Sequence, residues 1–206
     1  MSKYATPTPR LAFDKQLAIV RAFVVATQGS DKAPTNNQIG DLANMAGTTV
    51  SLMNGFLASI GLLEKRDGGY FPTATAKAYA QAYQWNPVEA GQKLQPALRE
   101  SWFGAALLPK LSMGALPEDD AIQRIAEAAE AEPALRPRLV ILLDWLEEAA
   151  LITRTEGRVT ARADARTTTE QRSSNVIDPP NPQPTAVRKM PPRLSGDEGI
   201  SFSISV

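Results

Sequence analysis

The chain has 206 residues, 43% of them hydrophobic, and its 22 basic residues balance 22 acidic ones. This length and apolar content can build a proper core, either as one average domain with a tail or as two small domains. There is neither cysteine nor histidine, which excludes disulfides, thiolate and imidazole metal sites, and catalytic groups that need those side chains. We therefore expect no enzyme, no metal and no cofactor.

The N-terminus has no apolar segment of signal-peptide length, and no run approaches the roughly 20 apolar residues that span a bilayer. We expect a cytoplasmic protein with no membrane contact. The formal net charge is zero, so the whole chain lacks the basic surplus expected of a strong, non-specific DNA binder.

Residues 1–10 are polar and contain prolines, which predicts a flexible arm. A first helix is predicted from Leu11 to Gln28, because apolar residues recur there at helical spacing. This helix is apolar over more of its circumference than a surface helix should be, which predicts contact with a second domain or another subunit.

A pair of helices joined by a tight turn comes next. Thr35 or Asn36 can cap the first helix of the pair, whose Ile39 and Leu42 would face the core. Gly47 can supply a positive φ in the turn, and Thr48 or Thr49 can cap the next helix. The buried stripe of that helix is predicted to contain Val50, Met53, Leu57 and Ile60.

A short β-hairpin follows this helix pair. Gly61 ends the helix, Leu62–Glu64 opens a strand, Asp67–Gly69 makes the turn, and Tyr70–Phe71 returns. An alanine-rich helix runs to about Tyr83. Two helices with a tight turn and then a hairpin are typical of a winged helix-turn-helix, so residues 11–86 are predicted to form one such domain.

The second half repeats this pattern at a shift of 89 positions. The shift aligns Phe56 with Trp145, Leu63 with Ile152 and Gly68 with Gly157. Residues 87–161 are therefore predicted as a second winged-helix-like domain, with helices near Leu98, at 120–131 and at 136–149. The predicted fold is mainly α with small β wings: two tandem winged helix-turn-helix domains followed by a flexible tail.

The tail has a different composition. Residues 162–198 are rich in proline and small polar side chains, which predicts a disordered linker. Residues 199–206 alternate apolar residues with serine, the period of a half-buried strand. Such a strand can pair with its twin in a homodimer or add to the edge of a partner's sheet. The predicted partner-binding residues are Ile200, Phe202, Ile204 and Val206.

The third helix and the hairpin carry the candidate DNA contacts. Small polar side chains on that helix can bond phosphates or base edges, and Asn suits adenine. Residues 48–63 contain no Lys or Arg, so the positive charge that phosphates require must come from the wing, the preceding loop or the arm residues Lys3 and Arg10. The predicted DNA-binding residues are Lys32, Thr48, Thr49, Ser51, Asn54, Lys65 and Arg66.

The second domain is a poorer DNA candidate, because its predicted second helix is acidic and would repel phosphates. We interpret it as a structural or dimerising domain. Among the tryptophans, helical spacing predicts core positions for Trp102 and Trp145 and an interdomain contact for Trp85.

The wing GLLEKRDGGYFPT, the helix AKAYAQAY, the segment ALRESWFGAALL and the closing alternating strand together resemble an uncharacterised bacterial family of tandem winged-helix proteins. The resemblance covers residues 11–206 and rests on loose hydrophobic patterns. It implies a non-enzymatic, DNA-associated or regulatory role. Two hypotheses follow: a regulator that binds double-stranded DNA through its first domain and dimerises through the rest, or a protein-interaction adaptor that keeps the fold without the DNA contact.

Overall fold

A computed structural model describes residues 2–162, which are mainly helical with two small antiparallel sheets. The helices are α1 Phe13–Ala26, α2 Asn36–Ala43, α3 Gly47–Ser59, α4 Ala74–Trp85, α5 Pro87–Ala90, α6 Gln95–Glu100, α7 Trp102–Leu111, α8 Glu118–Ala129 and α9 Arg136–Glu148. The strands are β1 Leu63–Arg66, β2 Gly69–Pro72, β3 Leu116–Pro117, β4 Ile152–Thr155 and β5 Arg158–Ala161. Two 3₁₀ turns, Gly91–Leu94 and Pro133–Leu135, complete the set.

The 89-residue repeat is visible in the element bounds. Shifting α3, β1 and β2 by 89 positions reproduces the bounds of α9, β4 and β5. The backbone repeats as well: Asp67 and Gly68 at the first hairpin turn have φ values of 51° and 78°, and Glu156 and Gly157 have 52° and 71°. We call α1–α3 with β1–β2 the first repeat, and α7–α9 with β3–β5 the second repeat.

The two hairpins are closed in the same way but supported differently. A backbone bond from Thr73 N to Leu62 O (3.1 Å) closes the first, and its counterpart from Arg162 N to Leu151 O (3.0 Å) closes the second. In the second repeat β3 adds to β5 and makes a three-stranded sheet in the order β3-β5-β4. The first hairpin has two strands, and the loop before α2 lies against its second strand at Gly69.

The repeats share one hydrophobic core. The Trp145 ring is fully buried and lies edge-on to Phe13 and Phe56, with ring centroids 5.4 and 5.7 Å away. Its Nε1 donates a hydrogen bond to Oε1 of the buried Gln16 (3.2 Å), whose Nε2 donates to Leu11 O (3.0 Å). The predictions that α1 meets the second unit and that Trp145 is a core residue are confirmed.

Two expectations about apolar side chains are wrong. Trp85, predicted at an interdomain contact, is 90% exposed at the last position of α4. Leu42, predicted in the core, is 52% exposed because the buried face of α2 consists of Ile39, Gly40 and Ala43. Trp102 is only partly buried, and its ring stacks on Tyr4 with centroids 4.9 Å apart.

That stacking belongs to a larger correction. The chain before α1 was predicted as a flexible arm, but Lys3, Tyr4 and Thr6 contact the second repeat. Lys3 N donates to Ala129 O (2.9 Å), the Lys3 ammonium pairs with Glu130 (3.5 Å), and Pro7 is buried. The arm is thus docked on the second repeat. The predicted linker 162–198 and strand 199–206 lie outside the described residues, apart from Arg162.

Arg21 of α1 contacts two tyrosines of α4 and so links the two helices. Arg21 Nη1 donates to the Tyr79 hydroxyl oxygen (2.7 Å), and its guanidinium lies 4.0 Å from the Tyr83 ring centroid. Burial raises the pKa of Tyr79 to about 12, and Arg21 opposes that increase. The hydroxyl therefore stays protonated and available to the α1–α4 contact over the ordinary pH range.

The turn between α2 and α3 depends on close backbone approach. Thr35 caps α2, accepting from Gln38 N (3.3 Å) while Gln38 Oε1 accepts from Thr35 N (2.8 Å). The left-handed residue of the turn is Asn44 (φ 53°), which corrects the expectation that Gly47 takes this role. Gly47 is instead the first residue of α3, and a Cβ there would meet the side chain and backbone of Asn37.

We therefore expect Gly47→Ala to lower the free energy of unfolding by about 1–3 kcal/mol, because the added methyl overpacks the turn. Gly55→Ala, in the same helix, is the matched control: a Cβ there has no heavy atom within 4 Å. It should raise stability by about 0.5–1 kcal/mol through helix propensity. Urea denaturation measures both, and equal effects would contradict this account of Gly47.

Candidate nucleic-acid interface

The outward face of α3 is formed by small and apolar side chains. Its exposed residues follow one side of the helix; we call Thr48, Ser51, Leu52, Gly55 and Ser59 the α3 stripe. Thr49 is partly exposed beside it. The N-cap residue of α3 is Ala46, which makes no side-chain capping bond, so the prediction that Thr48 or Thr49 caps this helix is wrong. The backbone amides at the start of α3 give the helix end near Thr48 a partial positive charge.

Ser51 lies in the stripe, as predicted, but its hydroxyl is already engaged. Ser51 Oγ donates to Thr48 O within the helix at 2.7 Å. The oxygen can still accept a hydrogen bond from a partner. The stripe therefore offers few free donors of its own.

Asn54 is a correction to the predicted site. Its side chain is only 4% exposed, and its Nδ2 donates to Asn36 Oδ1 (2.9 Å), which links α3 to the start of α2. Its Oδ1 is buried without a hydrogen-bond partner within the described residues. The amide faces α2, so Asn54 cannot reach a base edge. The prediction that Asn54 points outward is wrong.

The two wing cations differ in their surroundings. The Arg66 guanidinium lies 3.8 Å from Asp67 and 3.9 Å from Glu64, and 4.2 Å from the centroid of the Phe71 ring. Its charge is partly offset by these neighbours. Lys65, one residue earlier on β1, is exposed and has no ion pair among residues 2–162.

Lys32 belongs to the loop that supports the wing. The loop approaches β2 so closely that a Cβ on Gly69 would collide with Ala33. Gly69 pairs with Arg66 across the hairpin. The structure thus brings the Lys32 loop to the wing, and Lys32 itself is exposed beside a shallow cavity of about 560 Å³ at the α1–α2 junction.

The second repeat shows a different arrangement at the position equivalent to Lys65. Arg154 of β4 folds back onto α9 and donates to Asp144 (2.5 Å) and to Glu147 (2.6 and 2.8 Å). Burial alone would lower the pKa of the Arg154 guanidinium, but the bonds to Glu147 and Asp144 raise it. The charge of Arg154 on the second hairpin is thus neutralised by carboxylates of its own repeat.

The first repeat has no counterpart to those carboxylates. The positions on α3 that correspond to Asp144 and Glu147 are Gly55 and Ala58. Neither carries a charge, so within residues 2–162 Lys65 has no carboxylate partner at the positions that pair with Arg154. This difference in charge can be seen in the sequence alone, because the 89-residue shift aligns Gly55 with Asp144 and Ala58 with Glu147. Our sequence predictions did not use it.

The other arginines of the second repeat are also engaged, whereas Lys110 is exposed and has no ion pair among residues 2–162. Arg136 forms an ion pair with Asp119, Arg138 donates to Thr6 Oγ1 (3.4 Å), and Arg158 donates to Ala115 O (3.3 Å). The first turn of α8 adds Glu118, Asp119 and Asp120. The expectation that the second unit is a poor surface for phosphates agrees with this distribution of charge.

Between the repeats lies a cavity of about 680 Å³ lined by Phe13, Val88, Glu148, Arg154 and their neighbours. Burial raises the pKa of Glu148, and Arg21 opposes the increase. None of the helices in residues 2–162 is both long and apolar enough to cross a lipid bilayer. Within the same residues, acidic side chains form no group of three suited to a metal ion.

Of the predicted residues, the structure places Thr48, Thr49 and Ser51 on one surface of α3, and Lys65 and Arg66 on the β1–β2 hairpin that follows it. Ile200, Phe202, Ile204 and Val206 lie outside the described residues. Neither a protein-family model, nor a curated protein, nor a solved structure matches the chain.

Arg154→Ala and Lys65→Ala are a matched pair for this account of the two wings. Removing Arg154 takes from Asp144 and Glu147 the guanidinium that both contact, so the free energy of unfolding should fall by about 1.5–3 kcal/mol. Removing Lys65, which forms no ion pair in the described part of the chain, should change it by less than about 0.5 kcal/mol. Urea denaturation of both variants distinguishes them, and equal losses would refute the asymmetry.

Proposed function

We propose that residues 11–86 and 87–161 are two tandem winged helix-turn-helix domains, and that the first binds double-stranded DNA. In each repeat two helices precede a short hairpin, with shared bounds for the last helix and both hairpin strands. That order of elements is the one in which a helix of the pair enters a major groove. In this proposal α3 is the groove helix of the first domain.

The observation that carries the DNA proposal is the free cation on the first wing. Affinity for DNA comes largely from neutralising phosphates with lysine and arginine. In the second domain the equivalent cation already has two carboxylates, whereas Lys65 has none within the described residues. An anion from outside the protein can therefore take at Lys65 the place that Asp144 and Glu147 take at Arg154.

The other residues of the proposed DNA contact are inferred from where they lie in the first domain. Thr48, Thr49 and Ser51 lie near the N-terminal end of α3, where the helix dipole favours an anion. Lys32 lies in the loop that touches the wing and can reach a second phosphate. Arg66 contributes less than Lys65, because Glu64 and Asp67 already offset its charge. The proposed DNA surface thus consists of the α3 stripe, the wing and this loop.

The second domain and the tail have a supporting role in this proposal. The docked arm, the acidic α8 and the internally paired arginines make the described surface of the second domain less suited to phosphates than that of the first. We propose that it holds the first domain in place and that the chain dimerises through this domain and the 199–206 segment. The protein would act as a cytoplasmic regulator by binding rather than by catalysis.

The rival function is a protein-interaction adaptor. It is favoured by Leu52 and Leu42, which are 62% and 52% exposed on the helix pair. An apolar partner would cover these leucines and would have little need of Lys65. The two functions therefore differ in how binding responds to salt and to the loss of one wing charge.

Duplex binding should weaken steeply with salt, with a linear relation between log K and log salt concentration. Lys65→Ala should weaken binding about equally for all sequences and reduce the magnitude of that slope by about 1. Lys93→Ala, which removes an exposed charge from the 3₁₀ turn between the repeats, is the control and should leave the slope unchanged. Fluorescence anisotropy with a labelled duplex pool measures all three proteins.

If the wild-type protein fails to bind the pool even at low salt, the DNA proposal fails. If it binds but Lys65→Ala and Lys93→Ala have equal slopes, the wing is not the phosphate contact.

A further inference from the structure

The α3 stripe determines which bases a groove helix could recognise. Guanine and adenine are read by side chains that make two parallel hydrogen bonds, chiefly Arg, Lys, Asn and Gln. The stripe contains none of these residue types. Asn54, the one amide side chain of α3, is buried and bonded to Asn36. Paired readout of a purine from α3 is therefore excluded by composition and burial together.

Leu52 is the largest side chain of the stripe, and the fold does not use it. The core positions of α3 are filled by Val50, Met53, Phe56 and Leu57, whereas Leu52 is 62% exposed. Gly55 lies nearly one turn further along the same side, and the space a Cβ would fill there contains no heavy atom within 4 Å. The centre of the stripe is thus an apolar projection with room beside it.

In the major groove, the apolar feature of a base pair is the C5 methyl group of thymine, which apolar side chains contact. The hydroxyls beside Leu52 are adaptable, since Ser51 already donates to Thr48 O and keeps acceptor capacity. Lys65 supplies the nearby phosphate contact without reading sequence. The chemistry of this surface therefore matches thymine-containing steps better than any purine edge.

We propose that Leu52 is a specificity-determining residue that packs on thymine C5 methyl groups, so that the first domain prefers thymine-containing sites. The inference rests on the proposed function, because it needs α3 to lie in a major groove. It assigns affinity to Lys65 and Lys32, and base preference to Leu52.

Replacing thymine by uracil tests this directly, because the exchange removes only the methyl group. Wild-type protein should bind an A·T-rich duplex about fourfold more tightly per contacted methyl than the same duplex made with deoxyuridine, which corresponds to about 0.8 kcal/mol. Leu52→Ala should bind both duplexes equally and keep its salt dependence. Leu42→Ala, which removes a 52% exposed leucine from α2 outside the proposed DNA surface, is the matched control and should retain the thymine preference.

The three possible results of this experiment distinguish thymine recognition, the role of Leu52 and DNA binding itself. If wild-type protein binds both duplexes equally, thymine reading is wrong while DNA binding stands. If Leu52→Ala weakens binding to both duplexes and keeps the preference, Leu52 is not the reader, and the inference is again overturned. If neither duplex binds at low salt, the proposed function itself fails and the inference fails with it. Circular dichroism of each variant confirms that the fold is intact.

Discussion

The burial of Trp145 between the two repeats is the contact on which the rest of the structure depends. Its ring lies against Phe13 and Phe56, and its indole nitrogen is satisfied by the buried Gln16. Phe56 is the residue that corresponds to Trp145 in the first repeat, so the equivalent positions of the two repeats touch each other. Equivalent surfaces also meet in a two-fold symmetric dimer. Here the contact is made within one chain and fixes α3 from behind.

Because Trp145 packs against the inner face of α3, the outer face of this helix is not needed for the core. Its residues differ from those on the equivalent face of α9. In the second repeat, Asp144 and Glu147 bring Arg154 down onto the helix. In the first, Gly55 and Ala58 stand at those positions, and Lys65 has no ion pair in the part of the chain that the structure describes. The two repeats thus share a backbone arrangement, but the cation of the second hairpin is paired within its repeat, whereas Lys65 of the first hairpin is unpaired among the described residues. This difference in charge, rather than the shared fold, is the reason we propose DNA binding for the first repeat and not for the second.

The sequence predicted much of the backbone, because periodicity, capping and turn residues are local signals. Thr35, one of the two predicted candidates, caps α2, and the 89-residue shift located the second hairpin. It did not predict which polar or apolar side chains are covered by another element. Asn54 lies at a helical position that could face out, yet α2 covers it. The arm shows the same limit, since its proline-containing composition indicates nothing about the surface it meets.

The most direct test of the central claim is to give the first wing the carboxylates of the second. Gly55→Asp with Ala58→Glu would place on α3 the side-chain types that neutralise Arg154, so Lys65 would be paired internally. We predict that this variant keeps its fold but loses duplex binding in low salt, measured by fluorescence anisotropy. Undiminished binding would contradict the account, because it would mean that neither the outer face of α3 nor a free Lys65 takes part.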